Sequence, residues 1–379
     1  MNILINMFCP AFEGGFSTYN YNILRELKNN TDSNNQYFIL LNQKTLNDFE
    51  LVFNENVHIR AVPNFLASTI PRYLWLQFIL PLYIIIMKID LLFTAMNVSP
   101  ALVYFMKVKS VVVIHTNLPW LFPQALIEVP WYIKYSQLLM TNITIKIANV
   151  IVVNSNTAKN ELINIFPQIK NKTKKIYLGI DHKRFKVTNK KELVIDKINI
   201  YKEKYFLTVS SIVRYHCFIE LFKAYEMLYE MDKNVPKLLC ISNVIHRNYN
   251  DEILNYLDTM NCADNIIILP GIHSRNLPTV YQNAELYIFS SYCEVFGFTN
   301  LEAMACGIPV LTSNKSALPE ICQNAALYFD PSNSLDIMEK IDSLYKNNTL
   351  KRSLIKAGKN QSRKFNWEKT AKETLGLLK

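Results

Sequence analysis

The chain alternates short apolar runs with longer stretches of helical pattern. In the first half the predicted strands are Asn2–Met7, Tyr37–Leu41, His58–Ala61, Leu91–Thr94, Val111–His115 and Val150–Asn154. The predicted helices between them include Thr18–Lys28, Trp131–Ile147 and Thr157–Ile165. Strands that alternate with helices predict parallel sheets covered by helices on both faces.

The pattern stops at a lysine-rich stretch, residues 180–204, near which we place a linker, and then restarts. The second set of predicted strands is Tyr205–Ser210, Lys237–Ser242, Ile266–Leu269, Leu286–Phe289 and Val310–Thr312. The helices predicted among them are Ile219–Met231, Asp251–Met260, Leu277–Asn283, Asn300–Cys306, Leu318–Gln323 and Ser334–Asn347. A chain of 379 residues is long enough for two domains. We therefore predict two doubly wound Rossmann-like α/β domains facing a central cleft, with ligands at the carboxyl ends of the strands.

One apolar run, Arg72–Lys88, has the composition of a membrane segment. Gln77 and Pro81 interrupt it, and its apolar part is shorter than the roughly 20 residues that span a bilayer. We favour a buried helix for this run. A helix that lies in the membrane interface is the second alternative, and a helix that spans the membrane is the third.

The composition narrows the class of protein. Half of the residues are hydrophobic and 19% are charged, which excludes a mainly disordered chain. The net charge of +10 favours partners that carry phosphates or an anionic membrane surface, although a solvated basic surface is the alternative. No nucleic-acid-binding module is recognisable. The seven cysteines form no Cys-x-x-Cys pair, and the N-terminus has the pattern of a strand rather than of a signal peptide, so we expect reduced thiols in the cytoplasm.

The most informative stretch is SSYCEVFGFTNLEAMACGIPV, residues 290–310, which follows a predicted strand. Glu294 is predicted on the loop and Glu302 in the first turn of a helix that Asn300 caps. Backbone N–H groups at such a helix start, together with the helix dipole, form a site for a phosphate. Glu302 can accept hydrogen bonds from the two hydroxyls of a ribose, and Glu294 from those of a sugar. The alternative is the ordinary acidic helix start of any α/β protein.

This stretch resembles the Glu-x7-Glu signature of the family 4 retaining glycosyltransferases, which have the GT-B fold. That signature reads much like EGFGLPxLEAMACGxPV, and Phe298-Thr299-Asn300 stands where many members have Leu-Pro-x. The resemblance implies a donor-binding set made of Gly271, Phe296, Gly297, Phe298, Thr299, Asn300 and Glu302.

The resemblance extends over nearly the whole chain. Gly14 and Gly15 look like the family's glycine loop near the donor phosphates and the acceptor, where only glycine lets the backbone approach a ligand closely. His115 resembles the family's histidine near the transferred sugar. The implied domains are an acceptor-side domain 1–185, a nucleotide-sugar domain 186–358, and a C-terminal helix, 359–379, that crosses back to the first domain.

The segment SSIVRYHC, residues 210–217, matches the family less well. Members carry an Arg and a Lys here that hold the donor diphosphate, because fixed cations stabilise the charge of a leaving phosphate. Arg214 is present, but His216 replaces the Lys, and Cys217 replaces a common Asn or Gly. A histidine is only partly protonated near neutral pH. We therefore expect weaker, more pH-dependent help for the leaving group.

The resemblance implies a metal-independent glycosyltransferase with Glu294, His115, Arg214 and His216 as catalytic residues. It would transfer a hexose or deoxyhexose, such as mannose, rhamnose or glucose, with retained anomeric configuration. We expect a UDP- or GDP-linked donor, no cofactor, and a saccharide acceptor, lipid-linked, in O-antigen or capsule synthesis. The expected location is the cytoplasm, peripherally on the inner membrane face. The alternative is a catalytically weak or inactive nucleotide-sugar-binding subunit of a glycosyltransferase complex.

Overall fold

The computed structural model of the protein describes residues 1–9, 15–28, 31–43, 53–188, 194–195, 198–199 and 204–379. The chain forms two compact units. Unit 1 contains residues 1–120, 129–179 and 367–379, and unit 2 contains residues 121–128 and 180–366. The sequence places the boundaries at 185 and 358 and does not single out the short segment 121–128.

Unit 1 is built on a parallel sheet whose strands alternate with helices. Its strands are β1 Asn2–Asn6, β2 Gln36–Asn42, β3 Val57–Val62, β4 Leu91–Thr94, β5 Lys109–Ile114, β6 Val150–Val153 and β7 Thr173–Lys175. Its helices are α1 Gly15–Leu27, α2 Thr69–Leu74, α3 Leu80–Ile86, α4 Leu118–Leu121 at the edge of the unit, α5 Trp131–Ile147, α6 Asn156–Ile165 and, at the C-terminus, α14 Trp367–Leu375.

Unit 2 repeats this plan. After a short antiparallel pair, β8 Val194–Ile195 and β9 Ile198–Asn199, come β10 Tyr205–Val209, β11 Lys237–Ile241, β12 Ile266–Leu269, β13 Leu286–Phe289, β14 Val310–Ser313 and β15 Ala326–Phe329. The helices are α7 Phe218–Met231, α8 Arg247–Leu257, α9 Leu277–Asn283, α10 Phe298–Cys306, α11 Leu318–Cys322, α12 Ser334–Lys346 and α13 Asn348–Ser362.

The strand orders define where each sheet can hold a ligand. The sheet of unit 1 has the order β3-β2-β1-β4-β5-β6-β7, and that of unit 2 has the order β12-β11-β10-β13-β14-β15. All neighbouring strands in both sheets run parallel, so each unit is doubly wound, and the predicted α/β class with two Rossmann-like domains is confirmed. The order reverses between β1 and β4 and between β10 and β13, which makes these two points the expected ligand crevices.

Burial explains why these strands form. β4 and β13 are buried along their whole length, as expected of parallel strands covered on both faces. Side-chain caps fix several helix starts: the Ser155 hydroxyl accepts the Ala158 N–H before α6, and the Asn347 side chain accepts the Leu350 N–H before α13. β7, β15 and α13 are not predicted from the sequence, because the two strands are short and the helix is strongly polar.

The apolar run after residue 68 forms α2, a π-helical turn, Trp75–Ile79, and α3. By length and composition the run Thr69–Ile86 could cross a membrane, and 39% of it is buried within the protein. Leu76, Leu80 and Ile84 pack in the core of unit 1, whereas the opposite face of the run is exposed. The predicted buried helix is therefore buried on one face only.

Candidate active site

The carboxyl ends of β10 and β13 bring two predicted segments together at the switch point of unit 2. The loop after β10 contains a short 3-10 turn, Arg214–His216, and the loop after β13 carries Glu294. Because these strands are neighbours in the sheet, their following loops lie at the same edge. The Tyr292 N–H donates to the Tyr215 carbonyl, which joins the two loops directly.

The side chains of His216 and Glu294 form a hydrogen-bonded pair at this edge. Nε2 of His216 lies 3.3 Å from Oε1 of Glu294, and Nδ1 lies 2.6 Å from the Ser211 carbonyl oxygen. A carbonyl and a carboxylate can only accept, so both contacts are hydrogen bonds only when the imidazole carries two protons. The pair thus places an imidazole, which is a cation when it carries both protons, where the sequence resemblance predicts a lysine.

Hydroxyl groups that the sequence analysis does not single out hold this pair. The Ser291 hydroxyl donates to the Glu294 carboxylate at 2.9 Å, and the Ser290 hydroxyl donates to the His216 carbonyl at 2.7 Å. Both serines are buried and directly follow β13. A polar pair at the end of an apolar strand is the signal that identifies them.

Cys217 follows the turn in a left-handed conformation, with φ 48° and ψ 47°. A residue with a Cβ atom is strained there, whereas Gly and Asn adopt this conformation more readily. This accounts physically for the Gly or Asn expected at this position. The cysteine is buried, and burial raises the pKa of its thiol to about 12, so the side chain stays a neutral thiol.

Arg214 does not contact the His216–Glu294 pair in this structure. Its guanidinium makes a two-pronged ion pair with Glu252 on α8 and lies 5.1 Å from the centre of the Tyr249 ring. The hydrogen bonds with Glu252 raise the pKa of Arg214 and lower that of Glu252. The arginine predicted for the diphosphate therefore has an acidic partner that a ligand would need to replace.

The helix after Glu294 begins earlier than predicted. Gly297 has φ +87°, a left-handed conformation that turns the chain into α10 at Phe298, and it has no side chain to cap the helix. Asn300 is therefore not the cap: it lies in the first turn and is fully buried. Glu302 consequently lies in the second turn, not the first as predicted.

Both polar side-chain atoms of Asn300 lack a hydrogen-bond partner among the described residues. A buried amide without partners costs roughly 1–3 kcal/mol. Its Nδ2 lies 3.2 Å from the point where a Cβ on Gly297 would be. The start of α10 thus combines uncapped backbone N–H groups with an unsatisfied amide beside them.

The other residues of the signature have mainly structural surroundings. Phe296 is buried, with its ring 5.3 Å from Phe298 and 5.6 Å from Phe365. Thr299 makes a side-chain hydrogen bond with Tyr287, at the centre of the sheet. These contacts fix the loop, so Phe296 and Thr299 position the helix start.

Glu302 accepts a hydrogen bond from the Tyr281 hydroxyl at 3.1 Å. Burial of the carboxyl group raises its pKa to about 7. Arg184 lowers this pKa only partly. With this pKa the carboxyl group is half protonated near neutral pH. Ligand hydroxyls that donate to it would stabilise its ionised form and lower its pKa.

Gly271, predicted to belong to the donor-binding set, follows β12 at the same edge of the sheet. Its N–H donates to the Asn243 side chain at 2.9 Å. A Cβ atom here would lie 2.6 Å from that amide, so a larger residue would displace Asn243.

The segment 121–128 contributes to the same unit. The Phe122 ring lies 6.3 Å from Tyr215 and 5.5 Å from Tyr292, which adjoin the predicted diphosphate residues in sequence. The Glu128 carboxylate accepts the N–H groups of Asn248 at 2.9 Å and Tyr249 at 3.1 Å, at the start of α8. The sequence gives no signal for this contact, because the segment lies far from α8 along the chain.

In unit 1, His115 lies directly after β5. Its Nε2 is 3.2 Å from the Ala95 carbonyl and its Nδ1 is 3.3 Å from Nδ2 of Asn154, so the proton is on Nε2. The rings of Phe16 and Tyr19 flank it at 5.0 and 4.9 Å. Burial lowers the pKa of His115 to about 4, so the imidazole is neutral at physiological pH.

The neighbours of His115 are neutral as well. Its backbone N–H donates to the Asn97 side chain at 2.8 Å. Gly15 is exposed at the first position of α1, and Gly14 lies outside the described residues. Among the described residues, His115 itself contacts amides, a backbone carbonyl and aromatic rings, and the nearby Asn117 donates to the Glu161 carboxylate at 3.0 Å.

Comparisons with known proteins agree with this architecture. The family described as "Glycosyltransferase Family 4" matches residues 13–184, and "Glycosyl transferases group 1" matches residues 190–361. Sucrose-phosphate synthase from Thermosynechococcus elongatus has a similar fold, with a TM-score of 0.73 and 17% identity, covering 100% of this chain and 98% of that one. HepE from Anabaena, in complex with UDP-glucose, gives a TM-score of 0.76 at 15% identity, covering 100% and 99%.

Curated relatives are similar over part of their length. O-antigen chain mannosyltransferase B of Escherichia coli is 27% identical over 49% of this chain and 48% of its own length. Spore coat protein SA of Bacillus subtilis is 23% identical over 56% and 60%, respectively. The matches thus span about half the length of these relatives. With both halves of the chain matched in order and the GT-B fold confirmed, the protein belongs to the family 4, group 1 glycosyltransferases.

Proposed function

We propose that the protein transfers a hexosyl or deoxyhexosyl group from a nucleoside diphosphate sugar to a saccharide acceptor, with retained anomeric configuration. The observation that carries this proposal is the His216–Glu294 pair at the switch point of unit 2. The same edge of the sheet has the uncapped start of α10. A histidine that can be protonated, a carboxylate and backbone N–H groups that no side chain caps together suit a ligand that has both phosphates and hydroxyls.

Different residues of unit 2 bind different parts of the donor. The N–H groups at the start of α10 and protonated His216 bind the diphosphate, whose charge grows as the sugar leaves. Glu302 accepts hydrogen bonds from ribose hydroxyls, and Glu294 accepts them from the transferred sugar. The incoming diphosphate draws Arg214 away from Glu252, because a charged hydrogen bond to phosphate replaces the exposed ion pair.

Catalysis rests on position and electrostatics rather than on a protein nucleophile. The acceptor hydroxyl attacks on the face that the leaving phosphate vacates, and a phosphate oxygen takes its proton. In unit 1, His115 is neutral, and the hydrogen bonds of its two ring nitrogens keep it in one orientation.

The E. coli O-antigen mannosyltransferase supports mannose as the first sugar to test and a surface polysaccharide as the product. The HepE complex with UDP-glucose supports a nucleotide-linked donor. The acceptor in this proposal is a lipid-linked saccharide at the cytoplasmic face of the membrane. The donor is linked to UDP or GDP, and the reaction needs no metal ion, since the sequence has no Asp-x-Asp motif.

The test is a transfer assay with UDP- and GDP-linked mannose, glucose and rhamnose, run with and without EDTA. Released nucleoside diphosphate and the anomeric configuration of the product are measured together by NMR. We expect one donor to be consumed with retention and no effect of EDTA. An inverted product would refute the mechanism. Donor binding without transfer to any membrane-extracted acceptor would support the non-catalytic subunit instead.

A further inference from the structure

Unit 1 has a cluster of large apolar side chains that its fold leaves exposed. They lie on three segments: the helical run Thr69–Ile86, the 3-10 turn Ala101–Phe105, and α5. The most exposed include Phe105 at 82%, Trp131 at 73% and Ile86 at 71%. We call the exposed side of these three segments the apolar face. Patches of this kind mark interaction surfaces in soluble proteins.

Hydrogen bonds hold the three segments side by side. The Gln77 side chain accepts the Ala101 N–H at 2.8 Å and donates to the Ser99 carbonyl at 3.3 Å. The Ser99 N–H in turn donates to the Thr144 hydroxyl on α5 at 2.9 Å. The exposed side chains of the three segments therefore belong to one surface of unit 1 rather than to three separate patches.

The helical run is apolar on both sides. Leu76, Leu80 and Ile84 pack in the core of unit 1, while Phe78 and Ile85 on other sides of the helix are exposed. A helix at an ordinary protein surface has polar residues opposite its buried stripe. Here the outer side lacks them, so a second apolar environment is the natural partner.

The charges around this face select among such environments. Between residues 64 and 148 the sequence has six Lys or Arg residues, of which Arg72 is buried, and only two acidic residues, Asp90 and, in unit 2, Glu128. Lys88 follows α3, and Lys107 and Lys109 follow the 3-10 turn, and all three are exposed. Lysine beside exposed Trp, Tyr and Phe suits anionic headgroups above a lipid interface.

We propose that the apolar face docks on an anionic lipid bilayer, with the run Thr69–Ile86 lying in the membrane interface. The run does not cross the bilayer, because a span would strip Leu76, Leu80 and Ile84 from the core of unit 1. This inference builds on the proposed lipid-linked acceptor, since a docked enzyme reaches its acceptor by movement in the plane of the membrane.

The test is flotation of the full chain with vesicles of phosphatidylcholine alone, or with about one third phosphatidylglycerol. We expect binding to the anionic vesicles, weakened by added salt. The double variant Ile85→Ser/Ile86→Ser should lower partitioning by about tenfold or more, since it removes two inserted apolar side chains. Lys107→Glu/Lys109→Glu should remove the preference for anionic lipid. Met231→Ser, which alters an exposed apolar side chain of unit 2, is the matched control and should bind normally.

Trp131 provides a second readout that does not depend on separation of vesicles. Of the four tryptophans, Trp75 and Trp367 are buried and Trp120 is half-buried, so Trp131 is the exposed reporter. Its emission should shift to the blue on anionic vesicles, and Trp131→Phe should abolish the shift. Circular dichroism and the melting temperature of each variant establish that it folds.

Three results would overturn the proposal: no binding to anionic vesicles, equal binding by the Ile85/Ile86 variant, or a wild-type dimer that this variant dissociates. The dimer would mean that a second copy covers the face. Transfer to a water-soluble acceptor should be unchanged in the Ile85/Ile86 variant. If wild-type protein floats but transfers no sugar, the proposed function fails and the docking surface stands.

Discussion

The two units share one architecture but differ in the chemistry at the carboxyl ends of their strands. In unit 1 this edge has Asn97, Asn154 and a neutral His115. In unit 2 it has the hydrogen-bonded pair of His216 and Glu294. The same doubly wound sheet can therefore hold a neutral imidazole among amides in one unit and a histidine–carboxylate pair in the other. We attribute recognition of the donor to the charges of unit 2.

The largest effect should come from removing the charge of Glu294. We expect Glu294→Gln to lower kcat/KM by about a hundredfold or more, because the residue pairs with His216 and, in the proposed function, accepts hydrogen bonds from the transferred sugar. Steady-state kinetics with the best donor measure this loss. Glu285→Gln is the control, since Glu285 precedes β13 whereas Glu294 follows it. Equal losses of kcat/KM in the two variants would contradict the assignment of catalysis to the carboxyl ends of the strands.

A glycine substitution tests the start of α10. Gly297→Ala forces a Cβ into a left-handed conformation, 2.6 Å from a Leu318 methyl group. We expect it to lower the free energy of unfolding by about 1–3 kcal/mol and to weaken donor binding. Gly376→Ala is the control, because its Cβ would meet nothing within 4 Å. Calorimetry and nucleotide titration measure both, and an unchanged donor affinity in Gly297→Ala would remove this helix start from the donor site.

Substitution of His216 by lysine tests the role of charge in unit 2. A lysine stays protonated where a histidine loses its second proton, so His216→Lys should raise the rate above neutral pH by about three- to tenfold. It should also flatten the pH profile on the alkaline side. The comparison is made on the same donor from about pH 6 to about pH 9. An unchanged profile would show that the charge of His216 does not assist the leaving group.

Glu302 gives the donor site a pH dependence of its own. Its pKa is raised to about 7 in the folded protein from 4.5, so the carboxyl binds more protons folded than unfolded between these values. The free energy of unfolding should therefore decrease as the pH rises from 4.5 towards 7. In Glu302→Gln this decrease should be smaller by about 1–3 kcal/mol, because glutamine does not titrate. Nucleotide affinity should rise several-fold through the same range, because ribose hydroxyls need the ionised acceptor. A Glu302→Gln variant with the wild-type pH dependence of both quantities would contradict this.

The smallest predicted effect concerns Cys217. Cys217→Gly should raise the free energy of unfolding by up to about 1 kcal/mol, because glycine adopts φ 48° without the strain of a Cβ atom. Loss of the buried side chain offsets part of this gain. Urea unfolding measures it, with Cys240→Gly, in the middle of buried β11, as a control that should be destabilised. Destabilisation of equal size at both positions would refute the strain at Cys217.

The sequence predicts the fold well where apolar runs are short and bounded, as at β4, β12 and β13. It fails at the start of α10, because a left-handed Gly297 moves the helix start ahead of Asn300. The His216–Glu294 pair follows from the order of the strands, which the sequence pattern alone does not fix. The engagement of Arg214 by Glu252 depends on side-chain geometry between a loop and a helix 38 residues apart. Such contacts have no periodic signal in the chain.

The most direct test of the account is a thermal-shift panel with UDP, GDP, ADP, dTDP and CMP, each with and without EDTA. A ligand that binds only the folded state raises the melting temperature. We expect one nucleoside diphosphate to raise it selectively, with no effect of EDTA and a smaller shift in Glu302→Gln. Absence of any shift at millimolar nucleotide would contradict the claim that the charged edge of unit 2 binds the donor.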